Sequence, residues 1–559
     1  MEAGGRRGRL RREAAEYYRA LRVPERMEEA LNQLFLQRPD DLYGELANYF
    51  SKFSKPPVIC KLVGRKLFDA AGRPTLEVEI YCTVKNYEKR ICSTVMAAHS
   101  QIPENALPET IEANEKERNY SVHTAVEWVN ESLNTMLKHL DPTDQCQADK
   151  MLGEYFANKV EEKKEKERQE KEKQEEEAAK ATPASSLRGP ASTPKHKKGG
   201  RPATKLSVEA SSIPAAEPAE SVLCGSLAIG GASLAIAKAG ATVSHVPLYL
   251  YTALLKHHQE SPEGMTLPLP MVTLLNCEKN SPTKLKLVKE VMVIPPVELS
   301  LKQGIKRVLD IQKEIIRLLG SSGKKQPTLK ISHLGCLTLG YDSLEQLLLQ
   351  MQIVCSNIGL ELGRDMYLAI NCAAHDLMDY EKGKYEILTG TFKSPDEMVA
   401  MYVEMIDNFP FIIALIDPLR KEDREQWSSI CCALGSKCFV IAEDAATQIS
   451  KLKTEQSINI VKCSGVVLKY INQTKVSDLI ELTGILDGQR HVTILGSQDV
   501  ESSDESLVDL ARFLPSLLQA VGLGARFLKL GGLSRGERVA KYNRLLAIEE
   551  ELAANGALR

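Results

Sequence analysis

Two lysines and two carboxylates stand where apolar runs stop. Lys469 closes GVVLK, Lys529 lies in FLKLGG, and Glu443 with Asp444 closes CFVIAED. Charged side chains at the ends of apolar runs are candidates for one shared site wherever the fold brings those ends to a common face. The ten histidines fall at no ligand spacing; His257 and His258 are neighbours and on a helix would point about 100 degrees apart. The thirteen cysteines are odd in number and contain no CxxC pair, which indicates neither a zinc ribbon nor a secreted disulfide frame. A metal site built on His or Cys is therefore not expected.

For the lysines and carboxylates to meet, the runs that carry them must be neighbours. VMVIP, MYLAINCA (366–373), FIIALID (411–417), CFVIAED (438–444), GVVLK (465–469), HVTILG (491–496) and ARFLKLGG (525–532) are each bounded by amphipathic stretches. Strands alternating with helices argue for a parallel sheet, and roughly 290 residues suit a closed eight-fold barrel. The strand ends of such a barrel share one face, which would bring Glu443, Asp444, Lys469 and Lys529 to a single site.

The rest of the chain bounds the answer. With 72 basic and 74 acidic side chains, a net charge of −2 and 43% hydrophobic residues, 559 residues describe several globular domains, not a collagen, a disordered chain or a polyanion binder acting through bulk charge. No run approaches the roughly 18–20 apolar residues of a membrane helix. Arginines also fill the N-terminus where a signal peptide would be apolar, so a soluble cytoplasmic protein is expected. In 25–53, Leu31, Leu34 and Phe35 share one helical face, and after Arg38 and Pro39 a second stripe runs through Leu42, Leu46, Tyr49, Phe50 and Phe53. Two such short helices must pair with something. From Lys61 to Ser100 the pattern is that of strands, Leu76, Val78 and Ile80 opposing Glu77 and Glu79. The two-sign charge run KVEEKKEKERQEKEKQEEEAAK has no apolar face, so it reads as solvated helix or disorder, and it leads into a Pro-, Ser- and Ala-rich stretch. Its basic island, PKHKKGGRPATK, reads as linker, and nucleic acid is not expected as a partner.

Several segments match a known family. FDAAGRPTLEVEI (68–80) is similar to the DSRGNPTVEVDL signature that opens enolases, and the likeness continues through GASLAIAKAGATVSHVPLYLYTALL (231–255), KSPDEMVAMYVEMIDNFPFIIALIDP (393–418) and LSRGERVAKYNRLLAIEEEL (533–552). The resemblance implies an α/β chain: an N-terminal α+β cap domain followed by an enolase-type eight-fold β/α barrel, here with an added helical segment and a disordered charged insertion. The expected division is a helical extension at 1–57, the cap at 58–157 and 223–265, the insertion at 158–222 and the barrel at 266–559. The extension and insertion make the chain resemble a divergent testis and sperm branch of the family. Residues 1–57 also resemble the dimerisation/docking helix pair of the protein kinase A regulatory subunit and Dpy-30 families.

Enolases dehydrate 2-phosphoglycerate to phosphoenolpyruvate, which requires divalent cations on a carboxylate, a lysine base and an acid for the leaving hydroxyl. By resemblance the base falls on Lys469, the substrate-carboxylate lysine on Lys529, the QEFMILP glutamate on Glu290 and the flexible-loop serine on Ser100. The Mg ligands fall on Asn371, Ile416 and Glu443 where the family has Asp, Glu and Asp, so only Glu443 and the neutral Asn371 remain. Asp417 could replace Ile416 only by a register slip. Leu334 takes the place of the acid, and His333 beside it could serve only if the loop were rebuilt. The phosphate-loop His-Arg-Ser becomes Gly496, Ser497 and Gln498, so the arginine that would grip a phosphate is gone, and NCEKNS (276–281) replaces the family's GGSHAG. Lyase activity with Mg is thus expected to be weak or absent. The expected role is a homodimer acting in sperm flagellum assembly or motility; the alternative is a purely non-catalytic scaffold that binds flagellar partners through 1–57 and the insertion. In a dead site Lys469 would need a new carboxylate partner.

Overall fold

The computed structural model describes residues 2–98, 107–180, 214, 222–256, 267–277, 283–321, 330–445, 460–497, 502–511 and 527–556. Three antiparallel strands, β1 (Val58–Phe68), β2 (Pro74–Val84) and β3 (Tyr87–Ala97), form the cap sheet in that order. Alternation gives β2 two faces. Leu76, Val78 and Ile80 are fully buried toward the small-residue helix Leu227–Val243, whose Gly231 lies so close that a Cβ there would stand 3.0 Å from Val78. On the opposite face Glu79 is covered by Arg90 and Arg65, at 2.7 and 3.2 Å.

The barrel consists of β4 (Leu269–Asn276), β5 (Glu290–Ile294), β6 (Tyr367–Asn371), β7 (Ile412–Ile416), β8 (Phe439–Ala442), β9 (Gly465–Lys469), β10 (Val492–Gly496) and β11 (Phe527–Gly531). Each strand pairs with the next, and β11 closes on β4. A wholly parallel sheet was the reading of the periodicity. The structure departs from it at β5, which runs antiparallel to β4 and to β6. No helix is described between β4 and β5, and an antiparallel pair requires none. Met271, Met292, Ile416, Ile441, Val467 and Phe527 fill the interior, so the barrel is a packed core.

Three N-terminal helices, α1 (Glu2–Ala20), α2 (Val23–Gln37) and α3 (Leu42–Ser51), pack in sequence on one another. They bury little: Ala30 and Leu34 are covered, while Leu31 and Phe35 of the expected stripe are exposed. Of the two readings of the charge run, solvated helix holds as far as Lys180. The helix that starts in the cap at Gln145 continues to Lys180, where ion pairs such as Lys159–Glu162 and Lys164–Glu161 support it in place of an apolar face. The remainder of 158–222, apart from Pro214 and Val222, lies outside the described residues. Among the described residues no single helix is long and apolar enough to cross a membrane.

Candidate functional site at the barrel mouth

Register brings the candidates together. Glu290, Asn371 and Ile416 sit side by side across β5, β6 and β7, and Lys469, Gly496 and Lys529 do so across β9, β10 and β11. Because β5 runs against its neighbours, its first residue arrives at the mouth where their last residues end. Glu443 lies just beyond β8 and completes the ring.

Five of these side chains form one connected network. Lys529 Nζ lies 3.0 Å from Glu290 Oε1 and 3.0 Å from Glu443 Oε2. Lys469 Nζ lies 2.9 Å from Glu443 Oε1 and 3.8 Å from Asp444. Asn371 Nδ2 donates to Glu290 Oε1 at 2.7 Å, and Thr273 Oγ1 donates to Glu290 Oε2 at 3.1 Å. Burial by itself would lower the pKa of Lys529, but the facing Glu290 and Glu443 outweigh it and hold that pKa above the ordinary lysine value. Burial would likewise raise that of Glu443, and the two lysines outweigh it, pulling the carboxyl down to about 2. Two carboxylates and two ammoniums therefore balance in a largely buried ring.

The altered positions are built into the structure around this ring. Ile416 is fully buried among the apolar side chains of the barrel interior. Leu334 is buried, and its carbonyl accepts the amide of Gly532 at 2.7 Å. The neighbouring His333 carbonyl is met by Arg538 at 3.5 Å, so this loop is tied down. At Gly496 a Cβ would stand 2.6 Å from Val467 Cγ1, which leaves no space for a side chain. Ser497 donates its amide to the Lys529 carbonyl at 2.8 Å and its Oγ accepts from buried Arg538 at 2.6 Å. Ser100 and Gln498 lie outside the described residues, as does most of NCEKNS.

Beside the ring is a second group that the periodicity did not reveal. Asp417 follows β7 with φ +44°; this left-handed turn ends strand alternation, so no register slip is needed to bring its carboxylate to the mouth. The buried carboxylate accepts the amides of Glu443, Asp444 and Ala445 at 2.9, 2.7 and 3.3 Å. Burial, then the Asp444 charge, pushes it up to about 6 against the opposing pull of His375. His375, Asp417 and Asp444 each bring a ligand atom within 4.8 Å of the others. Local spacing gives no sign of this group, because the three residues come from three separate strand ends.

The positions that resemblance gives to Mg do not fit that ion. One side chain is apolar, the Asn371 amide is donated to Glu290, and Glu443 is already neutralised by two lysines.

The comparisons with known proteins agree with this architecture. The profile described as "Enolase, C-terminal TIM barrel domain" matches residues 264–559. The chain is 50% identical to a Homo sapiens protein named Enolase 4, over 98% of this chain and 89% of that protein. It is 48% identical to the Mus musculus Enolase 4, over 99% and 92%, and 38% identical to that of Danio rerio, over 97% and 91%. With its eight-stranded barrel, its three-stranded cap and relatives that match along almost their whole length, the chain belongs to the enolase family.

Proposed function

We propose that this enolase-family protein has weak or no phosphopyruvate hydratase activity and acts mainly as a binding body. One observation carries the reading: Glu443, the one carboxylate left among the positions that would hold a cation, is already paired with Lys469 and Lys529. A base must be free of its proton when it acts, whereas Lys469 stands in an ion pair. Leu334 has no proton to give to a leaving hydroxyl, and loss of a general acid alone costs roughly a hundred- to ten-thousand-fold. The test is phosphoenolpyruvate formation from 2-phosphoglycerate with Mg, comparing the wild type with Lys469→Ala. Near-background rates are expected for both; rapid wild-type turnover abolished by Lys469→Ala would overturn the reading.

The binding role is placed on residues 1–57, in a homodimer of the sperm flagellum. It is supported by apolar side chains that α2 and α3 leave in solvent, with Phe35 70% and Tyr43 82% exposed. Deleting 1–57 should abolish capture of flagellar partners and leave the barrel folded. Unchanged capture would remove these helices from the account.

A further inference from the structure

The positions that resemblance gives to a cation do not fit one, yet a different set of ligand atoms converges beside them. We propose that His375, Asp417 and Asp444 form a site for a first-row divalent cation of intermediate softness, such as Mn2+ or Zn2+. The residues follow three consecutive barrel strands: His375 in the turn Ala374–Leu377 after β6, Asp417 directly after β7, and Asp444 after β8. Their ligand atoms lie within 4.8 Å of one another. Around a tetrahedral ion with bonds of about 2.0–2.2 Å, ligand atoms stand roughly 3.3–3.6 Å apart, so the partly exposed His375 and Asp444 side chains would swing inward by about 1 Å to close the site on Asp417.

A second observation points the same way. Asp417 is 1% exposed. Its carboxylate is fixed by three backbone amides. It faces Asp444. Two facing carboxylates, one of them buried, are costly; Glu443 next door has two lysines, whereas the cationic groups facing this pair are His375, 3.6 Å from Asp444, and Lys469, 3.8 Å from Asp444 on its outer side. The amides that hold Asp417 in place act as an outer shell that orients a ligand.

Donor type selects the ion. One imidazole nitrogen with two carboxylates suits Mn2+ or Zn2+ better than Mg2+, which takes oxygen ligands and dehydrates reluctantly. Three protein ligands leave coordination positions open, and partly exposed His375 and Asp444 place them toward solvent at the rim. The site shares no residue with Asn371, Ile416 or Glu443, and it stands whether or not the protein turns over 2-phosphoglycerate.

The test is Mn2+ titration of the full chain after chelator treatment, read by electron paramagnetic resonance and calorimetry. The wild type is compared with His375→Ala, Asp444→Asn and Asn371→Ala. The first two positions are partly exposed, so the fold is not at stake, and Asp417 is left intact because it holds residues 443–445. Loss of even an outer-shell partner costs 10–100-fold in metal affinity, so each of the first two variants should weaken Mn2+ by at least about tenfold, with Asn371→Ala unchanged. No saturable Mn2+ binding by the wild type would overturn the proposal. So would wild-type affinity in His375→Ala and Asp444→Asn, or a loss confined to Asn371→Ala.

Discussion

Glu443 and Asp417 are tied by a hydrogen bond, the amide of one to the carboxylate of the other at 2.9 Å. Both side chains are almost wholly covered, at 5% exposure for Glu443 and 1% for the Asp417 residue. Their protons are nonetheless held in opposite ways: Glu443 is drawn down to about 2 and Asp417 pushed up to about 6. Burial makes both carboxylates expensive. What differs is the company, two lysines on one side and a second carboxylate on the other. The ring has closed its charges internally and the neighbouring group has not. In this mouth, then, the lysine–glutamate ring is the self-sufficient half.

The largest way to break that contrast is Lys529→Ala. It leaves Glu290 and Glu443 facing each other without their shared ammonium, and loss of one partner from a buried pair costs about 3–5 kcal/mol. Urea unfolding should show it; a change within error would mean that the ring is wet. Asn371→Asp comes next. It replaces the amide that donates to Glu290 at 2.7 Å with a repelling carboxylate, for about 1–3 kcal/mol of destabilisation.

Acid titration sharpens the comparison. The folded-state pKa of Glu443, about 2, lies below its ordinary value of 4.5, so its contribution is complete above that ordinary value and disappears as pH falls toward 2. In chelator, urea midpoints of Glu443→Gln should fall less steeply than those of the wild type between pH 5 and 3. Parallel curves would show that the lysines do not hold this carboxylate. The smallest effect is expected from Asp444→Asn, whose carboxylate is 49% exposed and 3.8 Å from Lys469. In chelator it should shift stability by less than about 0.5 kcal/mol, and a difference from wild type should appear only with saturating Mn2+, which stabilises whichever folded state binds it.

How much of this mouth could be read beforehand follows from strand direction. Lys469 ends its parallel strand, and Lys529 and Glu443 lie near the ends of theirs, so apolar runs that stop in charge pointed to all three. Glu290 begins an antiparallel strand; there the same rule looks at the wrong end, and only resemblance found it. The run of β4 was missed, since Pro268 and Pro270 make its start resemble a turn. Asp417 was read from strand alternation, which its positive φ breaks. His375 carried no signal, because its neighbours in space lie 417 − 375 = 42 and 444 − 375 = 69 positions away. The cap was legible through Leu76, Val78 and Ile80, where one face meets one helix and periodicity suffices.

The missing Cβ at residue 496 bears on how such a protein could change over time. Any side chain restored there collides with Val467, an acid restored at 416 would enter the apolar interior, and one restored at 371 would meet Glu290. Each such single substitution is therefore uphill on its own. The mouth behaves as a locked arrangement, in which change at one of these positions is tolerated only when its neighbour changes with it.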